Sequence, residues 1–139
     1  MIVADTSGIV ALLDRDEMHH ETIRQLFERD DEPWLLPWAI LPEVDYLASH
    51  RLGARVQSLW MDDLTKGVYH VHWGKDDELE RARRTQKKYK SLKLGLVDAI
   101  VMAVAEHVGA SAIVTLDLRH FGAVKLTGAP QLYPRDLNL

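Results

Sequence analysis

Ile2-Val3-Ala4-Asp5-Thr6-Ser7-Gly8-Ile9-Val10-Ala11-Leu12-Leu13 is the stretch on which the reading of this chain turns. Three apolar residues have the length and composition of a short buried strand, and Thr6-Ser7-Gly8 punctuates it. Ile9, Val10, Leu12 and Leu13 then recur at helical spacing, so the chain starts as strand, turn and helix. The same alternation continues outward. Residues 17–29 form an amphipathic pattern with Ile23, Leu26 and Phe27 on the apolar side, and Trp34-Leu35-Leu36, framed by Pro33 and Pro37, reads as a second strand. A helix follows, with Ile40, Leu41, Val44, Leu47 and Ala48 as its apolar side and its start near Pro42, since proline is tolerated in a first turn. Gly53 separates it from a further helix through Val56, Leu59, Trp60 and Leu64.

The second half repeats the scheme. Residues 68–72, bounded by Gly67 and Gly74, have the β-propensity of a third strand. Residues 76–90 predict a strongly charged helix, and 98–107 a helix apolar nearly all round and therefore central. Residues 112–116 are almost wholly apolar, as expected of a strand covered on both faces. A weaker strand is expected over 123–126. Strands alternating with helices predict an α/β sandwich with a mainly parallel central sheet, helices on both faces, and one domain over residues 1–139.

Composition bounds the function. The 139 residues include 17 Lys and Arg against 21 Asp and Glu, a formal net charge of −4, with 47% hydrophobic and 27% charged residues. These are globular proportions. Cysteine is absent, which excludes a disulfide framework, a zinc-thiolate site and a thiol nucleophile. No signal-peptide core precedes Asp5, and no uncharged stretch approaches the roughly 18 residues of a membrane span. A soluble cytoplasmic protein without membrane association is the expectation. A net negative charge argues, at first reading, against a phosphate-rich partner.

The placement of the acids changes that reading. Asp5 closes the first strand, Glu43 lies early in the helix after the second, Asp98 opens the most apolar helix and Asp117 follows the strand over 112–116. In a parallel α/β sheet the strand C-termini and the following helix N-termini share one edge, where ligands bind. Taken singly, each acid reads as well as a helix cap, a solvated residue or a turn former. As a set they converge on one rim. Two carboxylates about 4 Å apart repel by roughly 4 kcal/mol at an effective dielectric of about 20, so such a rim requires a counter-charge or raised pKa values. Hard oxygen donors favour Mg²⁺ or Mn²⁺, and that combination suits attack of activated water on a phosphodiester.

The residues then resemble a known family. Val3-Ala4-Asp5-Thr6-Ser7, Leu41-Pro42-Glu43-Val44, Leu96-Val97-Asp98-Ala99-Ile100 and Thr115-Leu116-Asp117-Leu118-Arg119-His120-Phe121 are similar to the motifs of PIN-domain ribonucleases, more specifically the VapC toxins of type II toxin–antitoxin modules. The resemblance spans nearly the whole chain and implies a PIN-like three-layer sandwich. It assigns Asp5, Glu43, Asp98 and Asp117 to a catalytic pocket holding Mg²⁺ or Mn²⁺, and Thr115 to the hydroxyl that orders the site and its water. Thr6 and Ser7 would support the pocket, and Phe121 would pack. The implied activity is metal-dependent endonucleolytic cleavage of RNA by metal-activated water, leaving a 5′ phosphate and a 3′ hydroxyl. The implied partners are RNA, a small antitoxin and a second copy in a homodimer. Asp45, two residues beyond Glu43 on a helix, is expected to point elsewhere.

Other signals compete less well. Residues 81–93 are about half basic, with Leu79, Ala82 and Tyr89 expected on the core side and Arg84, Lys87 and Lys88 exposed, a face suited equally to RNA backbone or to the helix dipole. Asp76, Asp77, Glu78 and Glu80 make the other end of that helix acidic. His70 and His72 share a strand face, which is expected to be ordinary and half-exposed. His19 and His20 read as solvated, and His120, three residues after Asp117, is placed to approach the pocket rim, the weaker of its readings. Trp34, Trp38, Trp60 and Trp73 read as core or interface aromatics. A phosphohydrolase using Asp5 as nucleophile is the alternative enzyme, although Ser7 stands where such enzymes often place a second acid. A phospho-acceptor domain, a PIN-domain RNA-processing nuclease outside toxin function and a non-catalytic binding module complete the alternatives.

Overall fold

The computed structural model describes residues 1–29 and 31–138. Its elements alternate from the start: β1 (Ile2–Ala4), α1 (Thr6–Leu13), α2 (His20–Arg29), β2 (Trp34–Pro37), α3 (Leu41–Leu47), α4 (Ala54–Thr65), β3 (His70–His72), α5 (Glu78–Lys88), α6 (Leu96–His107), β4 (Ala112–Val114), α7 (Leu118–Phe121) and β5 (Gln131–Tyr133). The five strands form one sheet in the order β3-β2-β1-β4-β5, with each neighbouring pair parallel. Right-handed crossovers send the connections from β1 through β3 over one face and the β3-to-β4 connection over the other. Packing follows: α1 lies against α2 and α3, while α5 lies against α6, which covers β1 and β2.

Burial explains why these segments take these forms. β1 and β4 are buried at every position, so their apolar runs are those of strands covered on both faces. In α6 every residue from Ala99 to Ala105 is buried, as its all-round apolarity predicts. α3 carries Pro42 in its first turn. Its continuation is a π-helical turn over Ala48–Leu52, closed by the Gly53 N–H bonding to the Ala48 carbonyl and ended by Gly53 at φ 97°. An aromatic cluster fills the other end of the core. Phe27 meets Trp34 edge-on at 5.0 Å between centroids, and Tyr69 lies 5.5 Å from both Phe27 and Trp60.

Three expectations are corrected. The fifth strand is Gln131–Tyr133, not residues 123–126. The latter segment is a loop that buries Val124, while the real strand hides between Pro130 and Pro134, residues that an edge strand tolerates at its ends. Glu78, grouped with the solvated acids, is 1% exposed, and Leu79, expected in the core, is 59% exposed. Ala82 is buried and Tyr89 packs against the core as expected, so the reading differs only in the first turn, where Glu78 and not Leu79 faces inward. Of the tryptophans, Trp34 and Trp60 are buried and Trp38 and Trp73 exposed.

Candidate metal centre

The order β3-β2-β1-β4-β5 reverses direction at β1, so the crevice of the fold lies beyond the carboxyl ends of β1 and β4. Asp5 follows β1 directly, and Asp117 follows β4 after Thr115 and Leu116. Glu43 stands in the first turn of α3, and Asp98 in the first turn of α6. All four acids line one groove of about 430 Å³, together with Thr6, Ser7, Asp14, Glu17 and Arg51. Sites far apart in sequence thus meet because every strand points the same way.

Asp5 is the best-ordered of the four. It is 3% exposed, and its Oδ2 accepts hydrogen bonds from Thr115 Oγ1 at 2.9 Å and Ser7 Oγ at 3.2 Å. Thr115 is fully buried and joins the two strand ends: its Oγ1 also accepts the Asp117 backbone N–H at 3.0 Å. Ser7 Oγ in turn accepts the Leu116 N–H at 2.9 Å. These hydroxyls pin the loop after β4 to the start of α1. The Thr6 hydroxyl, which the resemblance also offered as support, is buried and meets no partner among the described residues.

Burial, then the neighbouring charge of Asp98, pushes the Asp5 carboxyl up to about 7, against the smaller opposing effect of its hydrogen bonds. Asp98 is likewise raised, by burial first and then by Asp117 and Glu43, with His120 acting in the opposite direction. The acids therefore sense one another across the groove. Gathering them costs free energy unless a cation is present.

His120, which the sequence offered as a weak approach to the pocket rim, lies against this group. Its Nδ1 lies 2.7 Å from Asp117 Oδ2 and 3.5 Å from Asp98 Oδ2. The hydrogen bond to Asp117 holds the imidazole pKa above its ordinary value. Asp117 caps α7 by accepting the His120 backbone N–H, and the resulting short turn brings the ring back over the carboxylate. The only advance sign was the three-residue spacing.

Other expectations place elsewhere. Asp45 turns away and accepts a hydrogen bond from Gln57 Nε2. His70 is exposed, and His72 Nε2 pairs with Glu78 Oε2 at 2.6 Å; neither joins the groove. Phe121 is in the core. Arg84 and Lys88 line a separate shallow basic pocket with Arg81, Thr85, Glu106 and Thr127.

The donor set suits a divalent cation. Asp98, Asp117 and His120 each offer an atom within 4.8 Å of the others, and buried Asp5 lies beside Asp98 with hydroxyls, not a cation, as its hydrogen-bond partners. Carboxylate oxygens with one imidazole fit Mg²⁺ or Mn²⁺ better than a soft metal.

Comparisons with known proteins identify the family and the fold. Ribonuclease VapC26 of Mycobacterium tuberculosis is 27% identical over 127 residues, which cover 91% of this chain and 94% of the relative. Among solved structures, the Mycobacterium tuberculosis VapC20 toxin, described as cleaving the sarcin–ricin loop, superposes with a TM-score of 0.80 at 22% identity, covering 94% of this chain and 99% of that one. The DNA-bound VapBC complex of Salmonella typhimurium gives 0.70 at 16% identity, covering 94% and 95%. The family model described as PIN domain matches residues 2–125, and the chain belongs to the PIN-domain family.

Proposed function

We propose that this protein is a metal-dependent endoribonuclease, the toxin of a type II toxin–antitoxin pair, acting at the groove of Asp5, Glu43, Asp98 and Asp117. The convergence of those four carboxylates at the switch point of the sheet carries the proposal. The ribonuclease relative supports the reaction class, and the toxin–antitoxin complexes among the structural neighbours support a small antitoxin partner. A homodimer acting on RNA in the cytoplasm completes the reading. No helix of the described residues is long and apolar enough to cross a membrane.

Asp5, Glu43, Asp98 and Asp117 would hold Mg²⁺ or Mn²⁺. When bound, such an ion lowers the pKa of water and offsets charge developing on the phosphoryl oxygens. The protein's own contribution is positioning. Thr115 and Ser7 fix one carboxylate oxygen of Asp5, and Thr115 also holds the Asp117 backbone, so the two strand-end acids keep their separation. His120 holds the Asp117 side chain and supplies a nitrogen at the same place.

Purified protein incubated with single-stranded RNA should cleave it in Mg²⁺ or Mn²⁺ and stop on chelation. The double variant Asp5→Asn/Asp98→Asn should be folded and inactive; undiminished cleavage by that variant would remove the site assignment. A phosphohydrolase working through Asp5 would accumulate a phosphoryl-enzyme, which acid quenching would trap, and none is expected here. That alternative is also disfavoured by the family.

A further inference from the structure

We infer that Arg51 is the substrate-phosphate contact of this groove, holding an RNA phosphate beside the four acids; the inference rests on the ribonuclease reading above. The groove is lined by Asp5, Asp14, Glu17, Glu43, Asp98 and Asp117, and Arg51 is the lysine or arginine among its lining residues. An arginine facing so many carboxylates is expected to pair with one. Among the described residues it pairs with none within 4.0 Å, as is also true of Arg15, Arg55, Arg83, Arg84 and Arg119, while Arg24, Arg29, Arg81 and Arg135 form ion pairs; what sets Arg51 apart is that it stays unpaired inside a groove lined by six acids. The side chain is exposed at the groove, with its guanidinium donors uncommitted.

The backbone is arranged to put it there. Glu43, Leu47 and Arg51 are spaced four residues apart, and all three line the groove. In a regular helix each four-residue step overshoots a full turn by about 40°, so residue 51 would drift by roughly 80° from residue 43. The π-helical turn over Ala48–Leu52, with its wider i-to-i+5 closure, counters the second overshoot. Arg51 therefore stays in line with Glu43. A planar guanidinium presents paired donors to a phosphate, a geometry lysine lacks. A negative groove that must accept a polyanion needs such a contact next to the acids, and a cation bound among the carboxylates would leave the arginine free for a neighbouring phosphate.

The test measures binding of a labelled mixed-sequence single-stranded RNA in the Asp98→Asn background, where the RNA stays intact, as a function of salt. Adding Arg51→Ala should weaken binding about tenfold at low salt. It should also reduce the slope of log affinity against log salt by about 0.7, the release expected for one single-strand phosphate contact. Arg55→Ala, in the first turn of α4 beyond Gly53 and outside the groove, should change neither. In cleavage by the otherwise intact protein, Arg51→Ala should raise KM about tenfold with little change in kcat, and Arg51→Lys should recover part of the loss. Mn²⁺ binding measured without RNA should be unchanged or tighter in Arg51→Ala, since a like charge has been removed. An unaltered RNA affinity and salt slope would overturn the role of Arg51, even if the parent cleaves RNA as proposed. Weakened Mn²⁺ binding would overturn it too, pointing to a scaffold role. A parent protein that binds RNA with Arg51-dependent slope yet never cleaves would sink the ribonuclease reading and leave the phosphate contact standing.

Discussion

Asp5 shows how a single residue joins stability to chemistry. Its carboxyl is raised to about 7 by burial and by Asp98, so in the absence of a divalent cation the folded state binds a proton that the unfolded chain releases near its ordinary value. Stability from this group is therefore complete at low pH and falls as pH rises toward 7. Asp98 and His120 are shifted upward as well, so all three act in the same sense. Acids held low by partners, Asp136 at about 2 beside Arg135 and Glu32 beside the N-terminus and Ser111, act oppositely and only at lower pH. Metal-free protein should lose thermal stability between pH 5 and pH 8 by the order of a few kcal/mol, read as a fall in Tm. Asp5→Asn should flatten much of that slope and be at least as stable as the parent at pH 8. The same variant should lose cleavage by about a hundredfold or more, measured with single-stranded RNA at saturating Mg²⁺. Asp5 was legible as a candidate site residue only as one of four acids converging on one rim and through the resemblance to the family's motifs, since alone it reads as well as a helix cap. A raised pKa somewhere on such a rim was also expected; that it falls on Asp5, through burial first and then Asp98, 93 residues away, was not.

At the scale of elements, the strand–helix junctions decide what holds. Gly8 in α1 faces the end of β4 so closely that a Cβ there would lie 2.5 Å from the Val114 carbonyl oxygen and 2.7 Å from its Cγ1. Gly8→Ala should destabilise the protein by about 1–3 kcal/mol, measured by urea unfolding. It should also lower cleavage, because displacing α1 moves Ser7 off Asp5 and Leu116. The junction from β3 into α5 depends on Glu78, whose buried carboxylate accepts the Lys75 N–H at 2.7 Å and pairs with His72. Glu78→Ala strands both partners and should cost about 2–4 kcal/mol, and Glu78→Gln, which keeps an acceptor, distinctly less. This pair shows where sequence reading stops. Periodicity placed a charged helix over roughly these residues, but three acids stand within Asp76-Asp77-Glu78 and nothing local says which one turns inward. The fifth strand escaped for a similar reason: two flanking prolines hide a three-residue strand whose only support is its pairing with β4. Long apolar runs such as α6 and β4 were legible because burial dictates their composition directly. Arg51 was not, and His120 only as a weak approach to the pocket rim, because a π-helical turn and a short turn aim them.

At the scale of the whole molecule, a net charge of −4 describes neither of the surfaces that matter. The parallel topology collects acids at one end of the sheet, and the basic residues Arg81, Arg84 and Lys88 border a different pocket. The groove is consequently under repulsive strain that a bound divalent cation would relieve, and on the proposed reading its binding should appear as stability. Tm at pH 7.5 should rise with added Mg²⁺ or Mn²⁺, approaching about 2.7 kcal/mol of stabilisation at a free metal concentration a hundred times Kd. EDTA should reverse the rise. Mn²⁺ should act at lower concentration than Mg²⁺, because the nitrogen of His120 beside Asp98 and Asp117 favours the metal that accepts imidazole more readily. Asp98→Asn should abolish the shift, and His120→Gln should narrow the gap between the two metals while leaving a response to both. At pH 5 the response should shrink, since protons then compete for Asp5, raised to about 7 in the metal-free groove, and for the His120 imidazole, which is also raised. A metal response that did not weaken with acidification would mean that neither Asp5 nor His120 belongs to the coordinating set.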